Sequence, residues 1–204
     1  MSRPVVLVHG LWMPRVSMLP LARRLQRAGF APRLFGYSTV AGGPEAAVPR
    51  LAAMLRDGAD VVAHSLGGLV TLTALQREPG LPVQRVVCLG SPLCGSAAAK
   101  GLSARHAFAA TLGRSADLLR SGCQPWDGEA QVGVVAGRTP LGLGQFFGSL
   151  RDVSDGTVAV AETRLAGLAD HVVVPASHSG LLLSPLAAAQ AVAFLRSGRF
   201  EHRA

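Results

Sequence analysis

The nine residues VVAHSLGGL at 61–69 constrain this 204-residue chain more than any other stretch. Val61, Val62 and Ala63 make a short apolar run, the pattern of a buried strand. The run LGGLVTLTALQ at 66–76 has the periodicity of a helix packed on a sheet. Ser65 lies between the two, on a turn tight enough to need small neighbours. Ala63 and Gly67 supply them, two positions before and two after. A serine on such a turn has its hydroxyl pushed out above the sheet edge, with the N-terminus of the next helix pointed at it. The usual pattern is G-x-S-x-G, and this chain reads A-x-S-x-G, a departure of one methyl group. Five-residue matches arise by chance, so the order strand, turn, helix is what gives this one weight.

The run PVVLVH at 4–9 is a second continuous apolar segment, followed by Gly10, Leu11 and Trp12. Acyl transfer through a serine needs two backbone N–H donors aimed at the oxyanion that forms on the attacked carbonyl. Leu66, directly after Ser65, offers one; Leu11, in the loop after the first strand, offers the other. Taken together, PVVLVHGLW, AHSLGG and LGSPLCGS at 89–96 resemble the opening, the elbow and the following strand end of the α/β-hydrolase superfamily. Within it the chain is most similar to small bacterial lipases and esterases, some of which carry alanine before the elbow. The resemblance spans most of the chain in order and is concentrated at these motifs and at a C-terminal histidine.

A nucleophilic serine needs a base, and the base needs an orienting carboxylate. The superfamily places them in the order Ser, Asp or Glu, His. Of the downstream histidines, His178 in PASHSGLLLSP lies in a loop just after an apolar strand, where open α/β sheets collect ligands. SHSGLL also resembles the catalytic histidine loop of the lipases. His171 opens that strand at its other end and reads as a surface or packing residue; His106 falls in an insert and His202 in the tail. For the acid, Asp155 in SDGTV is favoured, because D-G-x-V after the penultimate strand resembles the acid loop of the superfamily. It follows the strand at 131–136 and precedes TVAVAETRL at 157–165, which reads as a helix. The plainer alternative for Asp155 is an Asx-turn or helix N-cap. Asp152, Asp127, Asp170 and Glu162 are lesser candidates.

Strands expected at 4–9, 31–37, 60–64, 84–90, 131–136 and 171–174 alternate with helices near 16–28, 45–57, 66–77 and 184–197. Alternation of this kind implies an α/β fold, a three-layer α/β/α sandwich on a mainly parallel sheet of about six strands. It resembles a minimal hydrolase that begins at the strand carrying HGLW. The length suits one domain over 1–204, with 24 glycines for its many tight turns. The stretch 97–126 breaks the alternation where such hydrolases carry a cap or lid. It holds Leu102, Phe108, Leu112, Leu118, Leu119 and Trp126 with arginines between them. It reads either as an amphipathic cover over an acyl pocket or as a helix packed on the sheet like any other.

A net charge of +8 raises nucleic acid as a partner, but the charge is almost all scattered arginine, with Lys100 the single lysine. No basic block or interleaved aromatics accompany it, so no nucleic-acid partner is expected. Peripheral contact with anionic lipid remains open. A core strand beginning at Pro4 leaves no room for a signal peptide, and no apolar run is long enough to cross a bilayer. Cys88, Cys94 and Cys123 lack metal-ligand spacing and are expected reduced, in a cytoplasmic protein; Cys94 and Cys123 bracket the insert and pair only in an oxidising compartment. His9 and His64 read as structural neighbours of the site and not as metal ligands.

These readings converge on a serine hydrolase of small-molecule or lipid esters with Ser65, His178 and Asp155 as its triad and the amides of Leu11 and Leu66 as its oxyanion hole. It calls for no metal or organic cofactor. Trp12 and Met13 beside the oxyanion loop, and Phe146 and Phe147 in LGLGQFFGSL at 141–150, are the candidates for substrate contact. An acyltransferase or lyase on the same triad is one alternative. A non-catalytic scaffold binding an acyl ligand or a partner protein is another.

Overall fold

Six apolar runs pair into one sheet, and every pairing in it is parallel. The computed structural model describes residues 3–39, 42–95, 118, 124–141 and 153–202. Its strands are β1 (Pro4–Val8), β2 (Ala31–Phe35), β3 (Asp60–His64), β4 (Arg85–Leu89), β5 (Gln131–Gly137) and β6 (Asp170–Val174). They lie in the order β2-β1-β3-β4-β5-β6. The helices are α1 (Leu19–Arg27), α2 (Gly43–Leu55), α3 (Leu66–Arg77) and α4 (Pro185–Ser197). The expected α/β/α layering and the six strands are therefore present, with boundaries shifted by a few residues.

The central strands are buried on both faces, so their sequences run apolar without a polar phase. Alternate residues nevertheless go to different cores. Val6, Val8, Val61, Ala63, Val86, Cys88, Val132 and Val134 pack with α2 and α3. Val5, Leu7, Val62, Val87, Leu89 and Val135 face the other way, onto Met18, Leu21 and Leu25 near α1 and onto Phe194 and Leu195 of α4. Phe194 is wholly buried, worth roughly 1.5–3 kcal/mol as apolar surface removed from water. Helix ends are set locally. Ser184 caps α4 by accepting from the Ala187 amide at 3.1 Å, Pro185 opens the helix, and Gly198 closes it in the left-handed region at φ 75°.

Three expectations change. The stretch at 157–165 is not a helix: Ser154 and Ala159 form an isolated antiparallel bridge, and only Val160–Thr163 makes a 3₁₀ turn. The physical reason is that the backbone closes a hairpin: the Asp155 amide donates to the Val158 carbonyl at 3.1 Å and the Val160 amide to the Val153 carbonyl at 2.9 Å, bonds that a helix over these residues would exclude. Trp126 belongs to the core and not to a cover, with its indole N–H donating to the Ala130 carbonyl at 2.8 Å. Leu118 also packs against that core, and the rest of 97–123 lies outside the described residues. Finally, Cys94 is disulfide-bonded, whereas Cys88 is free and buried. A bonded Cys94 departs from the expectation that the cysteines are reduced. Cys123 lies outside the described residues. No described helix is long and apolar enough to cross a membrane.

Candidate active site

The sheet order reverses at β1. The chain steps from β1 outward to β2, then returns to β3 on the other side of β1 and continues to β6. Loops leaving the carboxyl ends of β1 and β3 therefore diverge above the sheet, which leaves a crevice where open α/β sheets bind ligands. Both sequence motifs open into it, HGLW from β1 and the Ser65 turn from β3.

Ser65 has φ 54° and ψ −123°, and Trp12 has φ 56°; these are the non-glycine residues with positive φ among the described ones. Backbone strain of about 1–3 kcal/mol per such residue persists only where the surroundings hold it. At Ser65 the amide donates to the Leu89 carbonyl at 2.9 Å, and Leu66 starts α3 at once. Gly67 explains the small residue after the turn. A Cβ there would lie 2.6 Å from the Val8 carbonyl oxygen, so α3 approaches β1 closely only because the side chain is absent. Gly10, from the β1 loop, packs against Ser65: a Cβ on it would meet the Ser65 Cβ at 2.9 Å. Leu66 follows the serine directly, and Leu11 follows Gly10, the residue that packs against it.

The β1 loop is held from β2. The His9 ring stacks on Tyr37 with centroids 4.5 Å apart. Its Nδ1–H donates to the Gly10 carbonyl at 2.9 Å, and its Nε2 accepts the Tyr37 amide at 3.3 Å. Burial lowers its pKa, which keeps it in this neutral form. The Tyr37 hydroxyl donates to the His9 carbonyl at 3.0 Å, and the Trp12 amide donates to Thr39 Oγ1 at 3.2 Å. Tyr37 and Thr39 had no sequence signal beyond their place just after β2. Trp12 is about half exposed, whereas Met13 packs on the α1 side of the core. Phe146 and Phe147 lie outside the described residues.

Asp155 and His178 come together from the loops after β5 and β6. Asp155 Oδ2 is 2.7 Å from His178 Nδ1, and both residues are buried. A carboxylate oxygen accepts, so Nδ1 of His178 is the donor. Gly90, at the end of β4, makes the space for this pair. It has φ 57°, and a Cβ on it would lie 3.0 Å from Asp155 Oδ2 and 3.2 Å from His178 Nδ1. Among the described residues, the other candidate acids have different partners or surroundings. Asp127 is exposed, Glu162 accepts the Ala159 amide and Asp170 holds the C-terminal segment through Phe200 and His202. Asp152 and His106 lie outside the described residues. His171 bonds Thr163 Oγ1 at 2.8 Å, the packing role read for it.

His64, immediately before Ser65, is fully buried beside His178, with ring centroids 4.7 Å apart. Its Nε2 lies 3.0 Å from the His178 carbonyl oxygen. Burial, then the neighbouring His178, pushes its pKa down to about 3, so it is neutral. No cluster of three or more metal-ligating side chains occurs among the described residues.

Asp155 thus holds the His178 imidazole, and Ser65 occupies a strained turn at the switch point of a parallel sheet. A model of the alpha/beta hydrolase family matches residues 5–201, and the chain belongs to that family. Structural likenesses extend the comparison at low identity. The lipase BlEst2 of Bacillus licheniformis in its mature form aligns with a TM-score of 0.75 at 18% identity, over 96% of this chain and 91% of that one. The lin2722 gene product of Listeria innocua aligns at 0.66 and 15% identity over the whole of both chains. Phospholipase PlaB of Legionella pneumophila aligns at 0.69 and 16% over 97% of this chain, which spans 57% of the PlaB chain. At these identities the likeness is one of fold. Sequence comparison with curated proteins found no match.

Proposed function

We propose that the chain is a serine hydrolase that cleaves carboxylic esters bearing an apolar acyl group, through an acyl-enzyme on Ser65. The observation that carries this reading is the 2.7 Å hydrogen bond between Asp155 and His178, taken together with the strained elbow of Ser65. With Nδ1 protonated and bound to Asp155, Nε2 of His178 is the basic nitrogen and accepts the Ser65 proton as the oxygen attacks. Asp155 holds the imidazole in that tautomer and stabilises its charged form. The amides of Leu11 and Leu66 donate to the oxyanion, each worth roughly 10²–10³ in rate. His178 then protonates the departing alcohol, and water repeats the sequence on the acyl-enzyme. Every group used belongs to the chain itself.

The acyl side is assigned from its surroundings. Trp12 and Met13 border the β1 loop, and Phe146 and Phe147 with the insert at 97–126, Trp126 excepted, are assigned to line or cover the acyl pocket. The similar structures called lipase and phospholipase agree with this choice of substrate.

The test is mass spectrometry after reaction with a fluorophosphonate, beside turnover of p-nitrophenyl esters from acetate to palmitate. One adduct, on Ser65, with activity abolished in Ser65→Ala, is the expected result. A folded protein that takes no adduct and turns over no ester refutes the reading.

A further inference from the structure

His64 takes no part in the proton transfers above, yet it is the buried titratable group nearest to them. It lies on β3, one residue from the nucleophile, and its ring touches the loop that carries the base. Nε2 is 3.0 Å from the His178 carbonyl, an acceptor, so the neutral ring must carry its proton on Nε2 and donate. Nδ1 then has no proton, and this buried nitrogen has no hydrogen-bond partner. It faces Gly10, where a Cβ would come within 3.0 Å. The ring therefore has one polar contact, and that contact is the base's own backbone.

His178 is consequently tied at three points. Its amide donates to the Asp155 carbonyl at 2.9 Å, its Nδ1 to Asp155 Oδ2 at 2.7 Å, and its carbonyl accepts from His64 at 3.0 Å. Asp155 supplies two of these ties and belongs to the loop after β5. Only the third comes from the strand that bears Ser65. Without it, the acid and the base are still joined to each other, but that hydrogen-bonded set has no direct tie to the nucleophile's strand.

We infer that His64 is a positioning residue: through the His178 carbonyl it fixes the base in register with the Ser65 elbow. The inference rests on the ester-hydrolase reading for its kinetic consequence, but its geometric content is independent of turnover. The titratable groups around His178 are Asp155 from one loop and His64 from β3, with His9 from the β1 loop acting on His64 in turn.

The experiment compares wild type with His64→Leu, which keeps bulk and loses the donor, and His64→Gln, whose amide N–H reaches the same distance from Cβ. Rates are expressed per Ser65 titrated by fluorophosphonate. His64→Leu is expected to lose about tenfold in kcat, with KM changed by less than about twofold. His64→Gln recovers most of the loss. A purely structural role would lower melting temperature with kcat and KM per titrated site unchanged, and His64→Gln would then rescue nothing in kcat. Wild-type kcat per titrated site in His64→Leu, or an equal fall in His64→Gln, overturns the inference.

A second measurement needs neither turnover nor a folded variant. Ring ¹⁵N–¹H correlation spectra of wild type are expected to show His64 as the Nε2–H tautomer with that proton protected from exchange. The Nδ1–H tautomer overturns the inference whatever the activity. Absence of adduct and turnover in wild type, with the Nε2–H tautomer observed, instead refutes the hydrolase reading and leaves the tie in place.

Discussion

Two hydrogen bonds join Asp155 to His178, one between side chains at 2.7 Å and one from the His178 amide to the Asp155 carbonyl at 2.9 Å. The same aspartate uses Oδ1 to accept the Thr157 and Val158 amides at 2.9 and 2.7 Å. Its carboxylate thus has no free rotation: turning it away from His178 would also undo its own turn. The two readings open for Asp155 in the sequence, turn-former and partner of the base, describe two oxygens of one side chain.

That division of labour separates Asp155→Asn from Asp155→Ala. The asparagine oxygen continues to accept the turn amides, while its NH₂ faces His178 Nδ1 and forces the proton to the other nitrogen. Turnover of a p-nitrophenyl ester by Asp155→Asn is expected to fall about 10⁴-fold. Its melting temperature should stay within about 5 °C of wild type, whereas Asp155→Ala loses the turn as well and melts lower. Kinetics within tenfold of wild type in Asp155→Asn would remove Asp155 from the mechanism.

Gly90 and Gly29 make a matched pair, since both have positive φ, at 57° and 93°. A methyl group at Gly29 meets nothing within 4 Å, while one at Gly90 lies 2.8 Å from Leu181 and 3.0 Å from Asp155 Oδ2. Each substitution by alanine costs about 1 kcal/mol or more in backbone strain. Only Gly90→Ala is expected to reduce kcat, by displacing the acid and base. Equal activity in the two variants, measured per titrated Ser65, would show that the contact at Gly90 is unimportant.

What was legible in the sequence follows from how locally each feature is encoded. The six strands and four helices could be read because period and length are properties of consecutive residues. Ser65 was legible for the same reason, its elbow being a single strand–turn–helix unit. Asp155 and His178 needed the resemblance as well, since they meet across 23 residues of chain. Tyr37, Thr39 and Gly90 were passed over, because their parts depend on which loops the sheet order brings side by side. The stretch at 157–165 was misread because the competing partners of its backbone, at Val153 and Asp155, lie before the apolar pattern that suggested a helix. Reading Cys94 as reduced relied on cysteine number and spacing, which do not reveal what the fold brings together.

The state of the cysteines is directly measurable. Cys88 is free but wholly buried, and burial pushes its thiol up to about 12. It should resist alkylation by iodoacetamide in the native protein and react once the chain is denatured. Cys94 should remain unmodified after denaturation alone and react only after reduction with dithiothreitol. Peptide mass spectra showing Cys94 alkylated without reductant would restore the reduced reading.

Stability should depend on pH through histidines that the fold keeps neutral. Burial lowers the pKa of His64 to about 3 and, together with Arg164, that of His171 to about 4; burial lowers His9 too. In the unfolded chain each titrates near 6.5. Above that value neither state is protonated, and these groups add no pH dependence. Below it the unfolded chain takes up protons that the native state refuses, so stability falls as the pH drops. Each such histidine contributes a slope of up to about 1.4 kcal/mol per pH unit, continuing until its folded pKa is reached. Urea melts at pH 7.5, 6.5, 5.5 and 5.0 should therefore give a plateau followed by a decline that begins well above the carboxylate range. His64→Gln and His171→Gln should each make that decline shallower, because each removes one proton-accepting group from the unfolded chain. Stability that stays level from pH 7 to 5 would mean that these rings are not held neutral, and the tautomer on which the His64 contact depends would lose its electrostatic basis.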